Sequence, residues 1–252
     1  MTMHPWRLIA DPPAPGRWNM LADEAMLEAL AAGITGPTLR LYGWDPACLS
    51  LGRNQVAPIG LEERSARLGI GIVRRPTGGQ AVLHASEVTY AVVTATAGEG
   101  VLGDYRRLNE RLARALIAVG FPAALIRSEA TESTARASCF ARPGRADLAV
   151  DGRKIGGSAQ VRRGTVLLQH GSIKLWPAAC SLARVLGPGT PEPEVLWPAG
   201  PPGDPEACRD RIARAMATAF GLPWAPTART DWESAWIHAR TEGESPVIAV
   251  GT

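Results

Sequence analysis

Asp147-Leu148-Ala149-Val150-Asp151-Gly152-Arg153-Lys154-Ile155-Gly156-Gly157-Ser158-Ala159-Gln160, followed by Thr165 to Ile173, is the stretch that decides the fold class. Leu148–Val150, Lys154–Gln160 and Thr165–Ile173 read as three strands rich in β-formers. Asp151-Gly152 between the first two is the strongest two-residue turn signal in the chain. Tight turns join antiparallel neighbours, whereas a parallel pair needs a long crossover. This end of the chain is therefore expected to be a meander.

The same logic extends outward. Thr38–Tyr42, Cys48–Leu51 and Gly71–Arg74 read as strands, and Ala81–His84 with Val88–Ala95 as the two arms of a hairpin. Helices are expected over Asn19–Ala32, with Asn19 as the cap, and over Leu61–Leu68, Asp104–Val119, Pro205–Phe220 and Thr230–Arg240. Leu108, Leu112, Ala115, Leu116 and Val119 form one face of the third, and Gly120 ends it. Strands thus come in runs with helices between the runs. The expected class is α+β, with mixed, largely antiparallel β-sheets flanked by helices. The Pro/Gly-rich stretch 187–205 reads as a long surface loop before a helical C-terminal segment, and that segment is too short for a second domain. A single domain over 1–252 is expected.

With 46% apolar and 20% charged residues the chain is an ordinary globular sequence, so disorder is not the default. Its net charge of +3, from 27 basic and 24 acidic residues, is too weak a field to argue for nucleic acid or membrane. No N-terminal leader pattern and no membrane-length apolar run is legible, and a reducing cytoplasm with free thiols is the default expectation. Cys48, Cys139, Cys180 and Cys208 form no metal-ligand spacing, so no metal site is expected.

Three stretches carry chemistry. Arg74-Arg75-Pro76-Thr77-Gly78-Gly79-Gln80-Ala81-Val82-Leu83-His84 joins two strands by a glycine turn whose bare backbone lets a ligand approach closely. The paired Arg74 and Arg75 beside it suit a phosphate or a carrier's phosphopantetheine arm. Lys occurs only at Lys154 and Lys174. Lys154 enters a strand just before Gly156-Gly157, where an ammonium group can polarise a carbonyl or stabilise an oxyanion. Finally, Ser138-Cys139-Phe140 sits in a polar, Arg-bearing loop. Cations beside a thiol favour the thiolate, which is the form that attacks a thioester. Cys48, Cys180 and Cys208 read as small buried hydrophobes.

Taken together, these blocks resemble the lipoate-protein ligase and octanoyltransferase superfamily, which also holds the biotin protein ligases. The resemblance runs from about Trp18 to Trp176. It includes Asn19 with Asp23-Glu24, Leu51-Gly52-Arg53-Asn54-Gln55, the two glycine blocks and Gln169-His170-Gly171-Ser172-Ile173. It implies a class II biotin/lipoate ligase-like catalytic domain with the acyl chain in a tunnel near the two blocks. By that resemblance Lys154 contacts the acyl carbonyl. Arg74, Arg75, Gly78, Gly79, His84, Gly157, Ser158 and His170 make up the expected substrate-binding set. Cys139 looks like the nucleophile of the ligase-fold octanoyltransferases. These take octanoyl from acyl carrier protein and pass it to a lipoyl-domain protein such as the glycine cleavage H protein, with no cofactor. The alternative is an ATP-dependent lipoate-protein ligase, which needs ATP and magnesium and works through an acyl-adenylate.

Overall fold

The computed structural model describes residues 4–127 and 146–242. Its largest sheet has five strands in the order β1 (Arg7–Ala10), β2 (Thr38–Tyr42), β6 (Glu87–Ala95), β11 (Val166–Lys174) and β10 (Gly156–Arg163). β1 and β2 run parallel and the other neighbours antiparallel, so the sheet is mixed. β6 is central, and its period-2 alternation serves two cores at once. Tyr90 and Val92 face α3 (Gly100–Ala118) and α5 (Pro205–Ala219), packing with Leu108, Leu112, Ile212 and Met216. Ala91 and Val93 face the other way, against Met26 and Leu27 of α1 (Gly16–Ala31). A strand covered on both faces reads as a continuous apolar run, as Tyr90-Ala91-Val92-Val93 does at its centre.

A second sheet has the order β4 (Gly71–Arg74), β3 (Cys48–Leu51), β5 (Val82–His84), and its apolar face packs on α2 (Leu61–Arg67) and α4 (Leu182–Leu186). The expected hairpin between residues 81–84 and 88–95 does not form. β5 pairs antiparallel with β3, placing His84 opposite Cys48, while β6 pairs with β2 and β11. Two short apolar runs adjacent in sequence mimic a hairpin, but the chain changes sheets between them.

The third sheet, β7 (Ala123–Leu125), β8 (Leu148–Val150), β9 (Arg153–Lys154), contains the Asp151-Gly152 hairpin. Both turn residues have positive φ, 49° and 74°, as a turn matched to the strand twist requires. The run expected as one strand from Lys154 to Gln160 is broken at Ile155. There the amide donates to Leu148 of the third sheet and the carbonyl accepts from Lys174 of the first. This crossing sets Lys154 and Gly157 on different sheets at a shared seam. α1 also departs from expectation. It begins at Gly16, and Asn19 lies fully buried inside it instead of capping it. Its amide donates to Ala14 and Gly43 carbonyls at 3.0 and 2.9 Å, because two loops there offer buried acceptors that a cap position would not. α6 (Asp231–Thr241) packs on the outer side of α1 and starts with a Thr230–Glu233 capping box. The 187–205 stretch is not wholly on the surface, since Val195 and Leu196 are buried and Leu196 and Trp197 donate to Lys174 and Leu175.

Candidate active site

A narrow slot opens where the first two sheets meet. Met20, Tyr42, Trp44 and Val82 are its apolar walls, His84 and His170 enter from either side, and Gly157, Ser158 and Gly171 form a backbone wall. Its enclosed volume is about 30 Å3, the share of one water in the liquid. An acyl chain entering it must part these side chains, and Met20 is the most adaptable of them. The backbone wall depends on glycine. A Cβ on Gly171 would lie 2.3 Å from the Gly157 carbonyl oxygen and 2.9 Å from Ser158 Oγ.

His84 is held from all sides. Its ring stacks on Trp44 at 4.0 Å and 14°. Ser50 Oγ lies 2.8 Å from Nε2 and itself accepts from Arg75 Nη1 at 3.2 Å, which leaves its proton for His84. Nδ1–H then donates to Glu87 Oε1 at 2.6 Å, and the bonding pattern assigns a neutral imidazole. By distance alone the His84–Glu87 contact would be an ion pair. Burial decides otherwise. It pushes His84 down to about 4, and the nearby Lys174 and Arg75 charges push the same way. Burial alone would raise Glu87, but Lys174 and His84 hold its carboxyl far below the usual range. Glu87 also accepts from Lys174 Nζ, Thr89 and Ser172, so its charge is well compensated.

The opposite wall has a matching device. His170 Nε2 meets Thr77 Oγ1 at 2.7 Å and Nδ1 meets Asp23 Oδ2 at 2.9 Å. Asp23, fully buried, also binds Arg40 Nη1 at 2.6 Å and accepts from the Tyr42 hydroxyl at 3.0 Å. Arg40 continues to Asp11 and to the Asn19 carbonyl and side chain. Burial would raise Asp23, yet Arg40 and His170 leave it lowered.

Behind the backbone wall lies a third line. Lys154 Nζ binds Asp147 Oδ2 at 2.7 Å, and both side chains are buried. Tyr105 from α3 donates to Asp147 Oδ1 at 2.6 Å and reaches the Ser158 carbonyl at 3.1 Å. Ser158 Oγ meets the Tyr90 hydroxyl at 2.6 Å, and Gln169 ties Tyr90 to Asn109. Asn109 in turn donates to the Ala146 carbonyl at 2.8 Å.

Of the sequence-predicted residues, Arg75, His84, Gly157, Ser158 and His170 line one slot. Lys154 reaches its wall through Asp147 and Tyr105. Arg74 and Arg75 both brace backbone: Arg74 Nη1 donates to the Gly52, Arg53 and Gln55 carbonyls, and Arg75 to those of Ser50, Gly78 and Gln80. They thereby lock the Gly78–Gly79 turn, where a Cβ on Gly52 would strike the Gly79 carbonyl at 1.9 Å. Cys139 lies outside the described residues. The residues flanking its segment are paired, Ala146 N to Ile126 O at 2.8 Å and Ile126 N to Asp147 O at 2.9 Å. That segment therefore leaves and rejoins the described fold beside the partner of Lys154. Cys48 is pushed up to about 12 by burial and the Glu87 charge, so it is a packing residue. Among the described residues no cluster of His, Cys, Asp and Glu suits a metal ion, and no helix is long and apolar enough to cross a membrane.

Sequence reasoning missed Arg40, Glu87, Tyr105, Asp147 and Trp44. Arg40 and Glu87 had a signal, a charge set within or at the head of an apolar strand. Tyr105 and Trp44 had none.

Residues 15–199 match the lipoyl protein ligase A/B catalytic domain model. The chain belongs to this family. Octanoyltransferase LipM of Kyrpidia tusciae is 44% identical over 184 residues, covering 69% of this chain and 67% of the relative. Octanoyltransferase LipM of Symbiobacterium thermophilum is 36% identical over 253 residues, covering 90% and 91%. Lipoate-protein ligase A bound with ATP superposes with a TM-score of 0.75 at 20% identity, covering 96% of each chain. A lipoate protein ligase from T. acidophilum with bound lipoic acid gives 0.73 at 20% identity, covering 94% of each. At that identity the structural likeness establishes the shared α+β fold.

Proposed function

We propose that this family member transfers an octanoyl group from acyl carrier protein, through a thioester on Cys139, to a lysine of a lipoyl-domain protein. The acyltransferase activity rests on kinship to octanoyltransferases, one of them 36% identical across 90% of this chain and 91% of its own length. The geometry adds a small, largely apolar slot with a backbone wall and a buried lysine behind it.

The Cys139 thiolate attacks the thioester carbonyl, forming a new C–S bond. Lys154 and backbone N–H groups of the wall stabilise the oxyanion. The carrier's C–S bond breaks and its sulfur leaves with the electron pair. The neutral amine of the acceptor lysine then attacks the acyl-enzyme. The bond to Cys139 breaks, an amide forms, and the amine's proton passes to the departing sulfur. Thioester exchange is nearly balanced and amide formation draws the sequence forward without ATP. The lipoyl-domain acceptor is implied by the family; the carrier donor, an acceptor such as the glycine cleavage H protein, and a cytoplasmic location are part of the proposal.

Incubation with octanoyl-carrier protein, with intact-mass measurement as the readout, should add one octanoyl group to the wild type. Cys139→Ser should abolish the adduct or make it resistant to neutral hydroxylamine, which cleaves a thioester and spares an oxygen ester. A wild type that gains no mass, yet modifies acceptor when given ATP, magnesium and octanoate, is a ligase.

A further inference from the structure

We propose that Asp147 and Tyr105 are positioning residues that aim Lys154 at the backbone wall of the slot, an inference that rests on the acyl-transfer reading. A lysine side chain is long and loses much rotamer freedom when it is held. β9, which bears it, is only two residues long and cannot orient it by packing alone. The orientation comes from across the hairpin. Asp147 immediately precedes β8, whose Ala149 is the register partner of Lys154. Its two oxygens are divided between the Lys154 ammonium at 2.7 Å and the Tyr105 hydroxyl at 2.6 Å. The Tyr105 hydroxyl also reaches the carbonyl of Ser158, a wall residue, at 3.1 Å. The three side chains come from three elements, α3, the approach to β8, and β9, and the Tyr105 hydroxyl links the Lys154–Asp147 pair to the Ser158 carbonyl of the wall.

Two further contacts fix the backbone that carries the carboxylate. The Asp147 carbonyl accepts from Ile126 N, and Asn109 holds the Ala146 carbonyl just before it. Burial and the adjacent Asp147 charge keep the Tyr105 phenol protonated, so it remains a donor to the carboxylate. The ion pair thus forms on folding, and the ammonium group is in place before the substrate arrives.

The test is a double-mutant cycle read on acyl-enzyme formation from octanoyl-carrier protein. Asp147→Asn should lower the acylation rate at saturating donor by roughly 30- to 100-fold, with the KM for donor changed less than about twofold. Tyr105→Phe, which keeps the ring in place, should lower it by about five- to tenfold. On a Lys154→Met background, Asp147→Asn should cost less than about twofold more, because the residue it positions is gone. Thermal melts of each variant report folding separately. An equal loss on both backgrounds, a KM-only effect, or wild-type rates in Tyr105→Phe overturns the proposal. If the wild type gains no acyl group yet modifies acceptor with ATP and octanoate, the transfer reading fails. The same cycle run in the ATP assay still decides the role of Asp147.

Discussion

His84 should make the protein lose stability as the pH falls well before its carboxylates titrate. In the folded state it is pushed down to about 4 from an ordinary 6.5, because burial strips water from the imidazolium and, with the lesser repulsion of Lys174 and Arg75, outweighs the charge and hydrogen bond of Glu87. The folded value is the lower one, so on acidification the unfolded chain takes up the proton first. Stability therefore falls between 6.5 and about 4 and the loss is complete below that. At roughly 1.4 kcal/mol per pH unit, a shift from 6.5 to about 4 is worth about 3 kcal/mol. The Glu87 and Asp23 carboxylates lose their contributions only below their ordinary values of 4.5 and 3.8, at the foot of this window. His84→Gln removes the titration and keeps an amide that can face Ser50 and Glu87. Urea unfolding of both proteins, monitored by the fluorescence of the eight Trp and by circular dichroism, measures the difference. From about pH 7 to about pH 4.5, the wild type should lose roughly 2–3 kcal/mol more than the variant. Parallel curves, differing by less than about 1 kcal/mol across that range, would refute a depressed His84, and a wild type that gains on the variant as the pH falls would restore the ion pair with Glu87.

Arg40→Met leaves Asp23 buried beside only the Tyr42 hydroxyl and His170, and should cost about 3–5 kcal/mol, a fall of roughly 10 °C or more in melting temperature. Adding Asp23→Asn should recover part of that loss, and additive losses would disprove the pairing. Gly171→Ala should cut octanoyl transfer more than about tenfold, because its Cβ meets the Gly157 carbonyl at 2.3 Å and pushes β10 off the slot. Unchanged kinetics in this variant would show that the wall does not touch substrate.

The parts of the fold legible in the sequence were those written locally. Asp151-Gly152 announced the β8–β9 hairpin, and the apolar spacing of Leu108, Leu112 and Leu116 announced α3. Pairing across distance was not legible. Val82–His84 is three residues long and its partner, Cys48–Leu51, lies across a helix and a strand. Nothing in either run names the other, whereas Val88–Ala95 lies next door and reads as the obvious mate. The site divided in the same way. Glycines and histidines in blocks were visible, because bare backbone beside titratable groups is unusual in any context. The roles of Arg40, Asp23 and Glu87 were not, because a charge beside apolar residues stands out but a single sequence assigns charges to the surface and names no counter-charge. Only the tertiary structure shows that each has a buried counter-charge.

Those buried pairs also explain what the two histidines are for. Glu87–His84–Ser50 and Asp23–His170–Thr77 each run carboxylate, imidazole, hydroxyl, the connectivity of a hydrolytic triad. For the first line that reading fails on two counts. A general base works best with a pKa near the working pH, and His84 sits near 4. Ser50 is buried and its oxygen already accepts from Arg75, so it does not present a lone pair to a carbonyl. Nor are the buried ion pairs an efficient source of stability, since well-packed apolar residues serve at least as well. What both lines accomplish is to fix a flat ring at each side of the slot by both of its nitrogens, with the Trp44 face completing one wall. Walls held in this way limit water in the slot, which favours acyl transfer over hydrolysis. The first line therefore holds a wall of the slot and presents no nucleophile to it. The structure places the flanks of the Cys139 segment at Ile126 and Ala146, beside Asp147 and the lysine it binds.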